Sequence, residues 1–385
     1  MALVRVAVLA AQPARPEATA PGRLRSIRDW ELGCDHARRC EALGHPPEAN
    51  TDHPAALRID RDGTPEAAPV VRLLLDGVWG PRSDAPPLPA RIRIVPISDG
   101  GSTPASTTLL TLDRARIRDC DGAREITFTA SEATRLLDTF RHAYELLVVG
   151  TRDTDTLGLV SLAGSQATLL AMDEYQRRLG TVTALVRRGD RAAATIPAPS
   201  ALPVVRVVPP SPALAARLPD TAARRQIVQA VVRAQRAALT PCDRGEGGIP
   251  EDGTRDAVAP LDEVRWLVEV ACYRGAYNFG SLWFVVPRAA PRQAALASFM
   301  RRDAAGREQP RPGAMPATLV NASFDAKAGT LGGLNKGRGL GDCGEIEQWG
   351  WTGTHFELLD RTESYACRAI GPAAWVTTYR ATRAP

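Results

Sequence analysis

A chain of 385 residues with 44% apolar side chains is long enough for two domains and ordinary in composition for a globular protein. Its 48 basic and 43 acidic side chains nearly cancel to a net +5, and its 46 arginines alternate with Asp and Glu along the chain, which excludes the one-sided basic stripe of a nucleic-acid partner. No run reaches the roughly eighteen apolar residues of a membrane-spanning helix, so no membrane span is expected.

In chain order, the opening MALVRVAVLAAQPARPEATA holds a short apolar piece, Val6 to Ala11. It is shorter than the roughly 7–15 residues of a secretory apolar region. Residues 1–28 read as disordered, or as a degenerate or truncated export signal. Strands and turns follow: RDWELGCD, with Trp30 and Leu32 on one face at period two; AALRIDRDG, ended by an Asp62-Gly63 turn; VVRLLLDGVW; and RIRIVPI. PRSDAPPLP and SDGGSTPAS are loops by content. After the strand ITFTA, Ser131 and Glu132 open a helix through ATRLLDTFRHAYELLVV, where Leu136, Leu137, Phe140, Tyr144 and Leu147 keep helical spacing. LGLVSL predicts a strand, GSQATLLAMDEYQRRL a helix and TVTALVRRG another strand. Residues 191–220 carry seven prolines among small residues and read as a semi-rigid linker. Asp220 or Thr221 then caps TAARRQIVQAVVRAQRAAL. PCDRGEGGIPEDGTRD is a loop, and the remainder is strand and turn: VRWLVEVACY, SLWFVVP, ATLVNASFD, EIEQWGW, THFELLD and AWVTTYRAT. The expected fold is α+β and β-rich, with two strand-rich lobes (29–190 and 221–385) and a few helices, joined by a Pro-rich linker.

Seven cysteines without a Cys-x-x-Cys pair point to disulfides in an oxidising compartment. Position suggests Cys34–Cys40, Cys242–Cys272 and Cys343–Cys367 with Cys120 left over, although six cysteines admit many other connectivities. Competing with this, Cys34, His36 and Cys40, with His45 and His53 nearby, offer thiolate and imidazole ligands for zinc at a spacing that fits no standard finger. Ser161 and Ser165 sit at a strand-to-helix turn, the place of a hydrolase nucleophile, but Gly-x-Ser-x-Gly is absent and only five histidines exist. The bland alternative is that one of these serines caps the helix. Asp173 and Glu174 point about 100° apart on a helix and are expected to pair with Arg177 or Arg178. Gly339, Gly341 and Gly344 spell GxGxxG, but a strand follows where a dinucleotide site needs a helix; a small anion beside Lys336 and Arg338 is the weaker alternative. Trp349 and Trp351 share a strand face, either as core or as an aromatic platform for sugars.

The segment VSLAGSQATLLAMDEYQRRLGTVTALVRRGD resembles the signature of the bacterial domain-of-unknown-function family 1176: Ser-Leu-Ala-Gly-x-x-Ala, Met-Asp-(Asp/Glu)-x-Gln and Gly-Thr-x-Thr-Ala-Leu. Arg177 stands where that pattern usually has Gly. WELGCDHARRCEALGH, VACYRGAYNFGSLWFV and KGRGLGDCGEIEQWGWTGTHFELL resemble three further family segments, in order along the chain. The first half is distantly similar to invasion-associated locus B proteins, which are exported and strand-rich. The resemblance implies a bacterial envelope protein, periplasmic or secreted, and no reaction. The expectation is a non-catalytic role with a glycan or protein partner, no cofactor and no catalytic residue, with a serine hydrolase or a zinc protein as alternatives.

Overall fold

The structure, a computed structural model, describes residues 23–48, 53–75, 88–98, 108–120, 123–152, 155–245, 255–303, 305–313 and 317–384. The stretch up to residue 22, where disorder or a degenerate export signal was expected, the end of VVRLLLDGVW and much of the loops around residues 81, 101 and 250 lie outside them, as does the side chain of Cys120.

The fold is β-rich α+β. In the N-terminal half an antiparallel sheet runs in the order Arg25–Ile27, Trp30–Cys34, Cys40–Gly44, Ala55–Arg61, Val70–Leu75, Ala123–Thr127, Arg118–Cys120. A second sheet runs Thr156–Ser161, Glu145–Val149, Arg91–Ile97, Leu110–Asp113. Period-two apolar residues from both sheets, among them Leu32, Leu57, Ile59, Ile92 and Val148, close one core over which Leu136 and Met172 of two helices pack. In the C-terminal half one sheet is built on the hairpin Arg265–Arg274 and Phe279–Pro287. The other runs Glu308–Pro310, Phe299–Arg302, Phe356–Ser364, Gly344–Trp351, Thr330–Lys336, Ser323–Asp325, with Val376–Arg380 also paired to Phe356–Ser364. Helix Thr221–Ala234, capped by Asp220 through the Ala223 amide, packs Val228 and Val231 into this second core.

Two features tie the halves. A third apolar cluster joins Leu43, Ala56 and Leu74 to Ile370, Ala374 and Val376. Inside the Pro-rich stretch, Val204–Arg206 pairs in parallel with Thr382–Ala384. Among the described residues no helix is long and apolar enough to cross a membrane.

Four local expectations change. Residues 25–27, expected within a disordered opening, form the strand Arg25–Ile27 paired with Trp30–Cys34, whose ladder orders them. The first helix is Ala130–Thr139, and its predicted continuation ELLVV is instead the strand Glu145–Val149 between Arg91–Ile97 and Thr156–Ser161. Its cap is Thr129, in a capping box with Glu132. TVTALVRRG forms turns where a strand was expected, because the Leu185 and Val186 amides donate to Asp173 Oδ2 at 2.8 and 2.9 Å and need no ladder. Finally, Asp173 is fully buried and pairs with Arg61 at 2.6 Å rather than with an arginine one turn away.

Candidate functional site

The strand-to-helix turn at Ser161 is a packing device. Helix Ser165–Tyr175 is capped by neither serine: its N-cap is Gly164 at φ 98°, where a Cβ would lie 2.1 Å from the Ile27 carbonyl oxygen, so only Gly fits. Ser161 Oγ donates to Asp29 Oδ2 at 2.6 Å and accepts from the Ala163 amide. Ser165 is buried and its hydroxyl has no partner among the described residues. Neither serine is hydrogen-bonded to an imidazole, so the geometry of a nucleophile and its base is missing at both.

The zinc alternative is also overturned. Cys34 and Cys40 lie at disulfide distance, 2.09 Å, so both sulfurs are engaged with each other rather than with a metal. His36 packs edge-on against Tyr379. His45 is fully buried, with Nε2 3.0 Å from Glu31. A different trio, Glu308, His355 and Glu357, brings metal-type ligand atoms within 4.8 Å of one another. Arg302 already sits among them, 3.1 Å from Glu308 and 2.5 Å from Glu357, and supplies the cation.

Trp349 and Trp351 are 1% and 0% exposed. Trp349 meets Phe299 at 5.1 Å between ring centres and Trp351 meets Phe356 at 5.2 Å, so this stripe is core and presents no platform. The strand alone could not reveal this, because the rings that cover it, Phe299 and Phe356, come from other strands.

Exposed aromatics lie elsewhere: Tyr144 in the N-terminal half, and Tyr277 beside the Gly-rich loop. The hairpin turn Gly275–Asn278 packs on this loop through Asn278. Its Nδ2 donates to the Lys336 carbonyl at 2.9 Å, while Oδ1 accepts from the Asn321 side chain at 2.9 Å and the Lys336 amide at 3.2 Å. Tyr277 OH donates to the Gly337 carbonyl at 3.2 Å. Within the loop, Arg338 forks onto Asp342 at 2.7 and 2.5 Å, and Asp342 also accepts from the Ala369 amide. Burial would raise the Asp342 carboxyl, but Arg338 and the Ala369 amide outweigh it and hold it below its ordinary range. Arg338 is thus already paired with a carboxylate, which takes from the weaker, small-anion alternative one of its two cations. The strand Gly344–Trp351 follows the loop directly, which removes the dinucleotide reading. Cys343–Cys367, at 2.00 Å, fastens the loop to the segment after Phe356–Ser364, and Cys242–Cys272, at 2.09 Å, fastens the helix end to the hairpin that carries Tyr277.

Around this frame Tyr277, Phe279 and Tyr365 remain 37%, 43% and 56% exposed. Arg255 lies over the Phe279 ring at 5.8 Å. The GAYN stretch carries part of the family resemblance, but sequence reasoning gives Tyr277 and Asn278 no role; an aromatic inside a Gly-rich turn was the available signal.

Sequence reasoning also missed three acids of the N-terminal half that hold the 364–380 segment in place. Glu31 accepts from Ser364 Oγ at 2.6 Å, the Tyr365 amide at 2.7 Å and the Ala366 amide at 3.0 Å. Asp29, positioned by Ser161, takes Arg368 at 3.1 Å. Glu41 accepts from the Thr377 amide at 2.7 Å and from Arg380 at 2.8 Å. The segments that carry the family resemblance therefore meet in space: WELGC supplies Glu31, VSLAG supplies Ser161, and GAYN abuts RGLGDCG.

The family described as "Protein of unknown function (DUF1176)" matches residues 24–382. "Uncharacterized protein YpfG" of Escherichia coli (strain K12) is 28% identical over 377 residues, 92% of each chain. Among solved structures, that of invasion associated protein b from Bartonella henselae is a weak likeness: it covers 40% of this chain and 99% of its own at 14% identity, with a TM-score of 0.25.

Proposed function

The chain belongs to the DUF1176 family of proteins of unknown function, and from that premise we propose that it is an exported envelope protein, periplasmic or secreted, that binds a cell-envelope glycan and performs no reaction. The observation that carries this reading is a set of exposed aromatic side chains, Tyr277, Phe279 and Tyr365, of which Tyr277 is held on the Gly-rich loop through the Gly337 carbonyl. Rings presented on a rigid frame stack on sugar faces at little entropic cost. Export is supported by three cysteine pairs at disulfide distance, which persist in an oxidising compartment. A non-catalytic role is supported by the engagement of Ser161 with Asp29 and by the burial of Ser165.

The test is co-sedimentation of the disulfide-bonded chain with purified peptidoglycan sacculi. The wild type is expected in the pellet, and Tyr277→Ala with Phe279→Ala is expected to shift most of it to the supernatant. Wild type that stays in the supernatant, or a double variant that pellets as well, rules the glycan reading out; a protein partner then becomes the reading to pursue.

A further inference from the structure

The junction between the halves gathers a cluster of carboxylates and arginines, with Arg380 shared between acids of the two halves. Asp360, on Phe356–Ser364, lies opposite Arg380 of Val376–Arg380. From the N-terminal half, Asp35 and Glu41 face the same guanidinium, both only 1% exposed. Arg380 lies 2.8 Å from Glu41 and 3.7 Å from Asp35. Glu41 is shared further with Arg58 at 2.8 Å and Arg39 at 3.4 Å. Arg58 is itself divided with Asp60, which also takes Arg72. On the other flank of its strand Asp360 faces the uncharged Gln348. Asp35 and Glu41 of one half thus hold the guanidinium that lies across from Asp360 of the other, and among the described residues the Asp360 side chain has no hydrogen-bond donor of its own.

We propose that this cluster is an acid-tightened latch: Asp360 takes up a proton as the surroundings turn from neutral to mildly acidic, and the two halves are then held more firmly. Protonation removes the repulsion between Asp360 and the two acids, Glu41 and Asp35, that hold Arg380. Burial raises the Asp360 carboxyl to about 6 against the pull of Arg380, and Glu41 and Asp35 add to the rise. Burial raises Asp35 in the same direction. A carboxyl raised on folding opposes closure while ionised, and that cost disappears as pH falls through its folded value. The window is about pH 7 to 5. Glu31 behaves oppositely. Burial would raise it, but His45, Ser364 and the Tyr365 amide outweigh burial, so its hold on the 364–366 segment is lost only on stronger acidification. The latch stands independently of what the exposed aromatics bind.

The experiment is amide hydrogen exchange of the disulfide-bonded full chain at pH 5.0 and 7.5, corrected for the intrinsic pH dependence of exchange and read on peptides covering 364–380. In the wild type, protection of the Tyr365, Ala366 and Thr377 amides is expected to be about tenfold higher at pH 5.0. A carboxyl raised from its ordinary 3.8 to about 6 caps the gain at roughly a hundredfold. Asp360→Asn, which cannot ionise, is expected to be equally protected at both values and at least as protected as wild type at pH 5.0. Wild-type protection that is unchanged or lower at pH 5.0 overturns the proposal by itself. So does an Asp360→Asn variant that keeps the wild-type pH dependence.

Discussion

Arg177 follows the C-cap of helix Ser165–Tyr175 at φ 62°, in the left-handed region. The Arg178 amide donates to the Asp173 carbonyl and the Arg177 amide to the Glu174 carbonyl, the pair of bonds that defines a Schellman end. Glycine suits this position, and the family pattern usually has it there; the arginine is exposed and strained. Arg177→Gly is therefore expected to stabilise the chain by about 0.5–1 kcal/mol, the left-handed penalty less the extra chain entropy of Gly. Urea denaturation reads this directly, and a variant less stable than wild type would show that the Arg177 side chain contributes more than its backbone costs. The departure from pattern was visible in the sequence; that it falls on a left-handed residue was not, since φ depends on how Asp173 and Gln176 are tied down.

At the scale of elements, the motif Met-Asp-Glu-x-Gln works as a buried clamp. Asp173 binds Arg61 and two amides of the following turn. Gln176 accepts from Arg61 at 2.5 Å and donates to the carbonyls of Arg38 and Arg61. Arg178 reaches the carbonyls of Asp62, Thr64 and Pro65. Helix, sheet and turn are joined here without a ladder, which is why TVTALVRRG could not be read locally: its hydrogen-bond partner is a side chain on the preceding helix. The expected helix from Ser131 ran too far for a related reason. Leu136, Leu137 and Phe140 set a helical period that Tyr144 and Leu147 continue by coincidence, whereas ELLVV pairs with two other strands. Asp173→Asn leaves Arg61 buried without its anion and is expected to cost about 3–5 kcal/mol. A shift in denaturation free energy under about 1 kcal/mol would mean that Gln176 and the local carbonyls suffice to hold Arg61.

At the scale of the molecule, most strands and both cores were legible from period-two apolar residues, and fold class followed from them. The role of the alternate residues was not legible. Glu31 and Glu41 interrupt apolar strands as a solvated face would, yet both are buried because the 364–380 segment returns to cover that face and meets them with amides and Arg380. A polar face awaiting a remote polar partner has the same sequence signature as one awaiting water. Trp349 and Trp351 pose the same ambiguity with apolar residues, resolved by Phe299 and Phe356. The disulfides complete this scale: the bridges across 30 and 24 residues fasten the hairpin that carries Tyr277 and the Gly-rich loop, and each contributes roughly 3 kcal/mol by restricting the unfolded chain.

A thiol count decides whether three disulfides staple this chain, as a protein working outside the cytoplasm would require. The chain is recovered from the periplasm without reductant, denatured, alkylated and weighed intact. The account predicts one alkylated thiol before reduction, at Cys120, and seven after it. Seven alkylated thiols without reduction would contradict the account, returning Cys34, His36 and Cys40 to the set of available ligands and removing the support for export.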